Sequence, residues 1–276
     1  MSEQAAADGA AGSDAEFIGT VPDVYERLLV PMIFTEPAER LSAAVAALAP
    51  ASVLETAAGT GVLTRALRRH LPDASITATD LNEPMLAEAE RRSPLPGIVW
   101  QQADATALPY ADASYDVVAC QFGVMFFPDK VVGFREAARV LRPGGAFVFN
   151  VWDRIEANEA AHVVTEALVS AAPEDPLLFL RRTPHGYGDI DQIRADLAAA
   201  GLSAAIRAQD ATSRTTAADA AVAFCQGSPL LSEIERHPAL DVTTATRIAA
   251  DALRERYGPG PLASPIRWFQ VVAVTA

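Results

Sequence analysis

The stretch VLETAAGTG, Val53 to Gly61, runs from an apolar segment into one acid and then into residues almost without side chains. Val53 and Leu54 read as a buried strand. Gly59 and Gly61 supply the backbone freedom that a sharp strand-to-helix turn requires, and Ala57, Ala58 and Thr60 keep the passage narrow. A backbone this bare lets a ligand approach closely, and the amides that open the following helix point toward it. That helix is legible in VLTRALRRH, Val62 to His70, where Leu63, Ala66 and Leu67 recur at helical spacing.

Outward from this turn, short β-rich runs alternate with helical patterns. SITATD, IVWQQAD, YDVVACQF and AFVFNVWD read as four further strands; EPMLAEAERR and VVGFREAARVL read as helices, the first opened by Glu83 and Pro84 and the second stopped by RPGG. Strands this apolar, each followed by a helix, imply a sheet covered on both faces. The expected fold class is α/β, a doubly wound, mostly parallel seven-stranded sheet of Rossmann-like type with helical lid insertions. Ligands of such sheets bind beyond the carboxyl ends of the strands, and Glu55, Asp80, Asp104, Gln121 and Asp153 all fall at or near such ends.

The expected domain organisation is a disordered leader (1–16), N-terminal helices with a cofactor-binding core (17–153), a first lid insertion (154–188), a core helix and strand (189–211), a second helical lid insertion (212–263) and a last core strand (264–276). The leader carries acids where a signal peptide needs positive charge. The net charge of −13 disfavours a phosphate backbone as partner. No apolar run approaches the ~20 residues of a bilayer crossing. Cys120 and Cys225 lie far apart in apolar surroundings, as small buried hydrophobes do. The expectation is a cytoplasmic protein, monomer or homodimer, with a small-molecule partner and no nucleic acid, membrane or metal.

Asp80 ends the strand after the glycine turn, where a carboxylate can accept both hydroxyls of a ribose. The pair implies a nucleoside ligand without saying which. A nicotinamide dinucleotide asks for G-x-G-x-x-G, but Thr64 stands where the third glycine belongs and Glu55 precedes the turn.

VLETAAGTG, TATDLNEPML, QQADATALPY, YDVVACQFGVMFFPD and ARVLRPGGAFVFNVWD together resemble the class I S-adenosylmethionine-dependent methyltransferases, in particular the type 11 and ubiquinone/menaquinone-biosynthesis group, over roughly residues 50–153. Ala57 departs from that pattern, which usually has glycine there. The resemblance implies S-adenosyl-L-methionine as cofactor and S-adenosyl-L-homocysteine as product. By the same resemblance Gly59 and Gly61, with the amides around Ala57 and Thr60, would approach the methionine part, and Glu55 would help hold its ammonium. Asp80 would grip the ribose, Leu81 and Met85 would pack on the adenine, and Asp104 and the Ala105 amide would meet the adenine edge. Gln121 and Phe122 would lie near the sulfonium, and Tyr25, in the opening helix VYERLLVPMIF, would close over the cofactor.

Acceptor contacts fall on Met125, Phe126, Trp152 and Tyr187. His185, in the Gly-rich loop TPHGYGD, is the candidate base; His70, His162 and His237 read as structural. The apolar stretches PLLFL, FCQGSPLL and RWF favour an apolar or aromatic metabolite of natural-product type, met in secondary metabolism. The expected reaction is in-line methyl transfer driven mainly by proximity. The alternatives are a cofactor-bound protein that catalyses another reaction or senses the cofactor, and an NAD-dependent oxidoreductase.

Overall fold

Seven strands meet in one sheet, and the apolar ones at its centre, Ser52–Glu55, Tyr115–Gln121 and Leu141–Trp152, bury their faces only by pairing and being covered. The computed structural model describes residues 21–92 and 96–275. The strands are β1 (Ser52–Glu55), β2 (Ser75–Asp80), β3 (Ile98–Gln102), β4 (Tyr115–Gln121), β5 (Leu141–Trp152), β6 (Leu202–Thr215) and β7 (Leu262–Thr275), in the order β3-β2-β1-β4-β5-β7-β6. The pairs among β1, β2, β3, β4 and β5 are parallel, and β7 runs antiparallel to β5. Strand order reverses between β1 and β4, which makes their carboxyl tips the switch point of the sheet.

The chain forms two units. One comprises Thr35–Trp152, Tyr187–Gln209 and the chain from Trp268 onward, and holds the sheet with β6 up to residue 209 and β7 from residue 268. On one face, helices Thr35–Ala46 and Val62–His70 bury Leu41, Val45, Leu63 and Leu67 against Val53, Ile76, Val117, Ala119, Ala146 and Val148. On the other, Phe134 of helix Lys130–Val140 packs with Phe147 and Phe149. β5 therefore alternates, with Ala146, Val148, Asn150 and Trp152 on one side and Phe147 and Phe149 on the other.

β5 begins at Leu141, so the RPGG segment read above as a helix stop is already extended chain. Gly144, at φ +82°, lets the backbone pass there. The sequence reading placed the strand start at Ala146, where the apolar run begins, whereas the strand starts at the buried Leu141 and passes through the exposed Arg142 to Gly144.

The other unit contains residues 21–34, Asp153–Gly186 and Asp210–Arg267. It is mostly helical, with Glu159–Ala171, Ala217–Gln226 and Val242–Tyr257 the longest helices. Its first segment, Tyr25–Phe34, winds as a wide π-helix with Pro31 inside it. Proline cannot donate the backbone bond that a regular turn would use, and a local change of winding accommodates it. The expected leader, residues 1–16, lies outside the described residues. No helix among the described residues is long and apolar enough to cross a membrane, and they hold no group of three or more His, Cys, Asp or Glu able to take a metal ion.

Candidate cofactor site

The turn after β1 is tied on both sides. Thr56 N–H donates to Ala119 O of β4, and Ala58 N–H donates to Thr79 O of β2, each at 2.9 Å. Ala57 between them adopts φ +52° and Gly59 φ +56°. The left-handed region costs a non-glycine residue about 1–2 kcal/mol, so Ala57 is held there by its neighbours. Its methyl group has a specific place: a Cβ on Gly123 would come within 2.4 Å of Ala57 Cβ and 2.7 Å of Cys120 Sγ. Glycine at 123 is what allows alanine at 57.

The two glycines of the turn differ in role. A Cβ on Gly59 would only touch the Met85 methyl at 3.4 Å, whereas one on Gly61 would run into Trp100 at 2.8 Å. Gly61 thus lets helix Val62–His70 start close against β3.

Glu55 is buried at the tip of β1 and accepts a hydrogen bond from Thr64 Oγ1 at 2.6 Å. Burial pushes its pKa up to about 8 against the opposing help of Thr64. Thr64, the residue that breaks the dinucleotide fingerprint, is therefore the internal partner of this acid. Asp80, also buried, ends β2; its Oδ2 accepts from Gly59 N–H at 2.8 Å and its Oδ1 from Asn82 N–H at 2.8 Å. Burial raises its pKa, while the bonds from Asn82 and Gly59 oppose the rise. Two adjacent strand tips thus present buried carboxyl groups beside a turn of small residues, a set of acceptors suited to an ammonium and to ribose hydroxyls.

The other expected cofactor contacts of the sheet unit lie after β2, after β3 and at the end of β4. Met85 is buried and Leu81 is 53 % exposed. Asp104 is exposed and caps its own loop, accepting from Thr106 N–H and Oγ1, each at 2.7 Å; Ala105 lies within that loop. Thr60 is buried, and its carbonyl accepts from Arg65 at 2.7 Å. Gln121 ends β4, and Phe122 follows at φ +53° with its ring stacked on Trp152, centroids 3.8 Å apart and planes 5° from parallel. Phe122 and Ala57 are two non-glycine residues in the left-handed region within one turn system, the kind of backbone strain that gathers at functional sites.

Of the expected acceptor contacts, Met125 is buried and Phe126 half-buried on the short helix Val124–Phe126. Lys130 fixes that segment by donating to Met125 O at 2.9 Å and Phe127 O at 2.7 Å. The Tyr187 hydroxyl donates to Asp196 at 2.7 Å, and Lys130 Nζ stands 5.4 Å from its ring centre. This tyrosine therefore ties helix Ile190–Ala199 to the loop before it.

Tyr25 and His185 belong to the helical unit. Tyr25 stacks on Phe34 at 5.1 Å between ring centres. His185 Nδ1 lies 2.9 Å from Asp153 O. A carbonyl only accepts, so Nδ1 carries the proton and Nε2 keeps the lone pair. Burial pulls the His185 pKa down to about 4, leaving it neutral near pH 7.

Residues 54–149 match the family described as a methyltransferase domain. The demethylmenaquinone methyltransferase of Thermus thermophilus is 39 % identical over 36 % of this chain and 46 % of its own length. A malonyl-[acyl-carrier protein] O-methyltransferase of Hahella chejuensis is 35 % identical over 36 % of each chain. The chain thus spans less than half the length of these relatives. The YcgJ protein of Bacillus subtilis has the same fold, with a TM-score of 0.56 at 17 % identity, covering 86 % of this chain and 98 % of its own. Methyltransferase domains of this class use S-adenosylmethionine as methyl donor and leave S-adenosylhomocysteine. The match from β1 to β5, on a sheet of this order with buried acids ending β1 and β2, makes residues 54–149 similar to methyltransferase domains that use S-adenosylmethionine.

Proposed function

We propose that this chain is a methyltransferase whose acceptor is a small apolar or aromatic metabolite. The observation that carries the reading is the pair of buried carboxyl groups, Glu55 and Asp80, on neighbouring strand tips, the second bonded to the Gly59 amide. Glu55 would hold the cofactor's ammonium, the amides of the turn from Ala57 to Gly61 its methionine part, and Asp80 its ribose. Leu81, Met85, Asp104 and Ala105 would line the adenine, with Gln121 and Phe122 beside the sulfur. When bound, the cofactor supplies a methyl group on a positively charged sulfur. The protein's task is then alignment, which can be worth ~7–11 kcal/mol of barrier.

A histidine with a pKa of about 4 is a weak proton acceptor near neutrality. His185 therefore suits an acceptor that needs little help in losing a proton. The curated relatives differ in what their names say they methylate, so the shared stretch from 54 to 149 is assigned to the cofactor. Acceptor choice is assigned to residues outside it.

The test is calorimetry with S-adenosylhomocysteine, followed by turnover with phenols and quinols as methyl acceptors. Asp80→Asn keeps the shape of the side chain but loses the charge, and should weaken binding by ~100-fold, the equivalent of two lost charge-assisted hydrogen bonds. Unchanged affinity in that variant would remove Asp80 from the site. Cofactor binding without turnover across the acceptor panel would favour a sensor or a different reaction.

A further inference from the structure

Of the 22 Lys and Arg residues in the sequence, Lys130 alone is a lysine. A chain that supplies positive charge with arginine everywhere else keeps an ammonium here. The two groups are not interchangeable: lysine is a compact point charge with three donors, arginine a broad planar fork. Lys130 opens helix Lys130–Val140 and is half-buried. A positive charge in the first turn opposes the helix dipole, so its place asks for another reason.

The reason is the segment before it. Lys130 Nζ donates to Met125 O at 2.9 Å and to Phe127 O at 2.7 Å, carbonyls at the end of the short helix Val124–Phe126. One ammonium thus serves carbonyls that a helix end leaves without intrahelical partners. The same ammonium stands 5.4 Å from the Tyr187 ring centre, and the Tyr187 hydroxyl is held by Asp196. Asp196 and Asp129 supply the negative charge that favours its protonated form. Phe127 is set from a second direction as well, since a Cβ on Gly133 would come within 2.5 Å of its ring.

The opposite end of this segment bears on the turn after β1. Phe126 N–H donates to Gly123 O at 3.0 Å and Phe127 N–H to Val124 O at 3.2 Å, so residues 123–127 form one hydrogen-bonded turn. The place that a Cβ on Gly123 would need is taken by the Ala57 methyl group. Ala57, at φ +52°, and Phe122, at φ +53°, lie on either side of that contact, and strain of this kind persists only where the surroundings hold it. Contacts therefore run without a gap from the Lys130 ammonium to the Ala57 turn.

Resting on the methyltransferase reading, in which the turn 57–61 meets the methionine part of the cofactor, we propose that Lys130 is a positioning residue for that part. Its ammonium holds segment 123–127 against Ala57 and so keeps the turn in its binding shape, without itself touching the cofactor. The adenosine part, assigned to residues that follow β2 and β3, lies outside this chain of contacts.

The test is calorimetry on the full chain with two ligands, S-adenosylhomocysteine and 5′-methylthioadenosine, which lacks the amino acid. Lys130→Met keeps the stem and loses the donors; it should weaken S-adenosylhomocysteine by ~10-fold and leave 5′-methylthioadenosine within ~2-fold. Lys130→Arg, which keeps the charge in a broader head, should show the same selective loss to a smaller extent, and it serves where the first variant does not fold. In an Ala57→Gly background the methyl group against Gly123 is gone, and the Lys130→Met loss should shrink to below ~3-fold, as coupled residues require. Unchanged S-adenosylhomocysteine affinity in both Lys130 variants overturns the proposal. So does an equal loss for the two ligands, which would mark a general effect on the fold, and so does a full loss that persists in the Ala57→Gly background. Failure of the natural protein to bind S-adenosylhomocysteine at all is a separate outcome that strikes the functional reading itself.

Discussion

At the amino edge of the sheet, Asp116 is surrounded by donors: the amides of Ala51 and Ser52, the Ser52 hydroxyl and the Arg142 guanidinium, all within 3.0 Å. At the carboxyl edge, Glu55 ends the strand that Ser52 begins, and Thr64 is its close hydroxyl partner. Burial works to raise both pKa values. For Asp116 the bonds from Arg142 and Ser52 outweigh it and hold the carboxyl below its usual range, whereas Glu55 is pushed up to about 8. One carboxylate has been satisfied by the protein and locks three strands together. The other is buried beside a hydroxyl, with the Arg65 charge opposing its desolvation without overcoming it, and under the proposed function it would meet a cation.

Glu55→Gln should break the comparison most strongly. The substitution removes the charge that would face the ammonium, so S-adenosylhomocysteine affinity should fall by at least ~10-fold, while binding of 5′-methylthioadenosine, which lacks the amino acid, should change little. Stability should move the other way. The folded pKa of Glu55 lies above its unfolded value, so the folded state keeps a proton that the unfolded chain releases. The contribution is therefore lost as pH rises from about 4.5 to about 8. Thermal melts of the free protein at pH 8 should show Glu55→Gln more stable than the natural sequence, and the difference should vanish near pH 4. A variant less stable at pH 8 would mean that Glu55 is already ionised and paired.

Asp116→Asn should do the reverse. Its folded pKa is depressed, so its stabilisation is present above the unfolded value, near 4, and is lost as pH falls through the folded one. Urea titration at pH 7 should show a loss of about 1–3 kcal/mol, with S-adenosylhomocysteine affinity unchanged at low denaturant. A large affinity loss would show that the two edges are coupled.

The smallest effect should come from Ala57→Gly, which relieves the left-handed strain but leaves a gap over Gly123. A net gain of up to about 1 kcal/mol is expected. Gly123→Ala, which pushes a methyl into Ala57, should instead destabilise clearly in the same melts.

Much of the carboxyl edge was legible in the sequence, because Val53 to Gly61 couples a buried strand, an acid and a bare turn within nine positions, and the helices around it carry their own periodicity. Thr64 was visible as an exception to one fingerprint; its bond to Glu55 explains the exception, but only the turn geometry shows it. Lys130 could not be singled out by its surroundings. In FFPDK it reads as one more charge beside a helix start, and the Met125 and Phe127 carbonyls it meets are backbone atoms that leave no mark in the sequence. Tyr187 was read as an acceptor contact from its loop, and the Asp196 that takes its hydroxyl lies a helix turn or more away in sequence. Periodicity does not report such pairs.

The measurement that addresses the pair of carboxyl groups most directly is titration of S-adenosylhomocysteine into the protein at pH 7, in two buffers with different heats of ionisation. If Glu55 meets the ammonium, binding should release close to one proton, because a carboxyl with a pKa of about 8 must ionise to receive it. The release should disappear in Glu55→Gln. Binding with no proton released, or with the same release in the variant, would contradict the account.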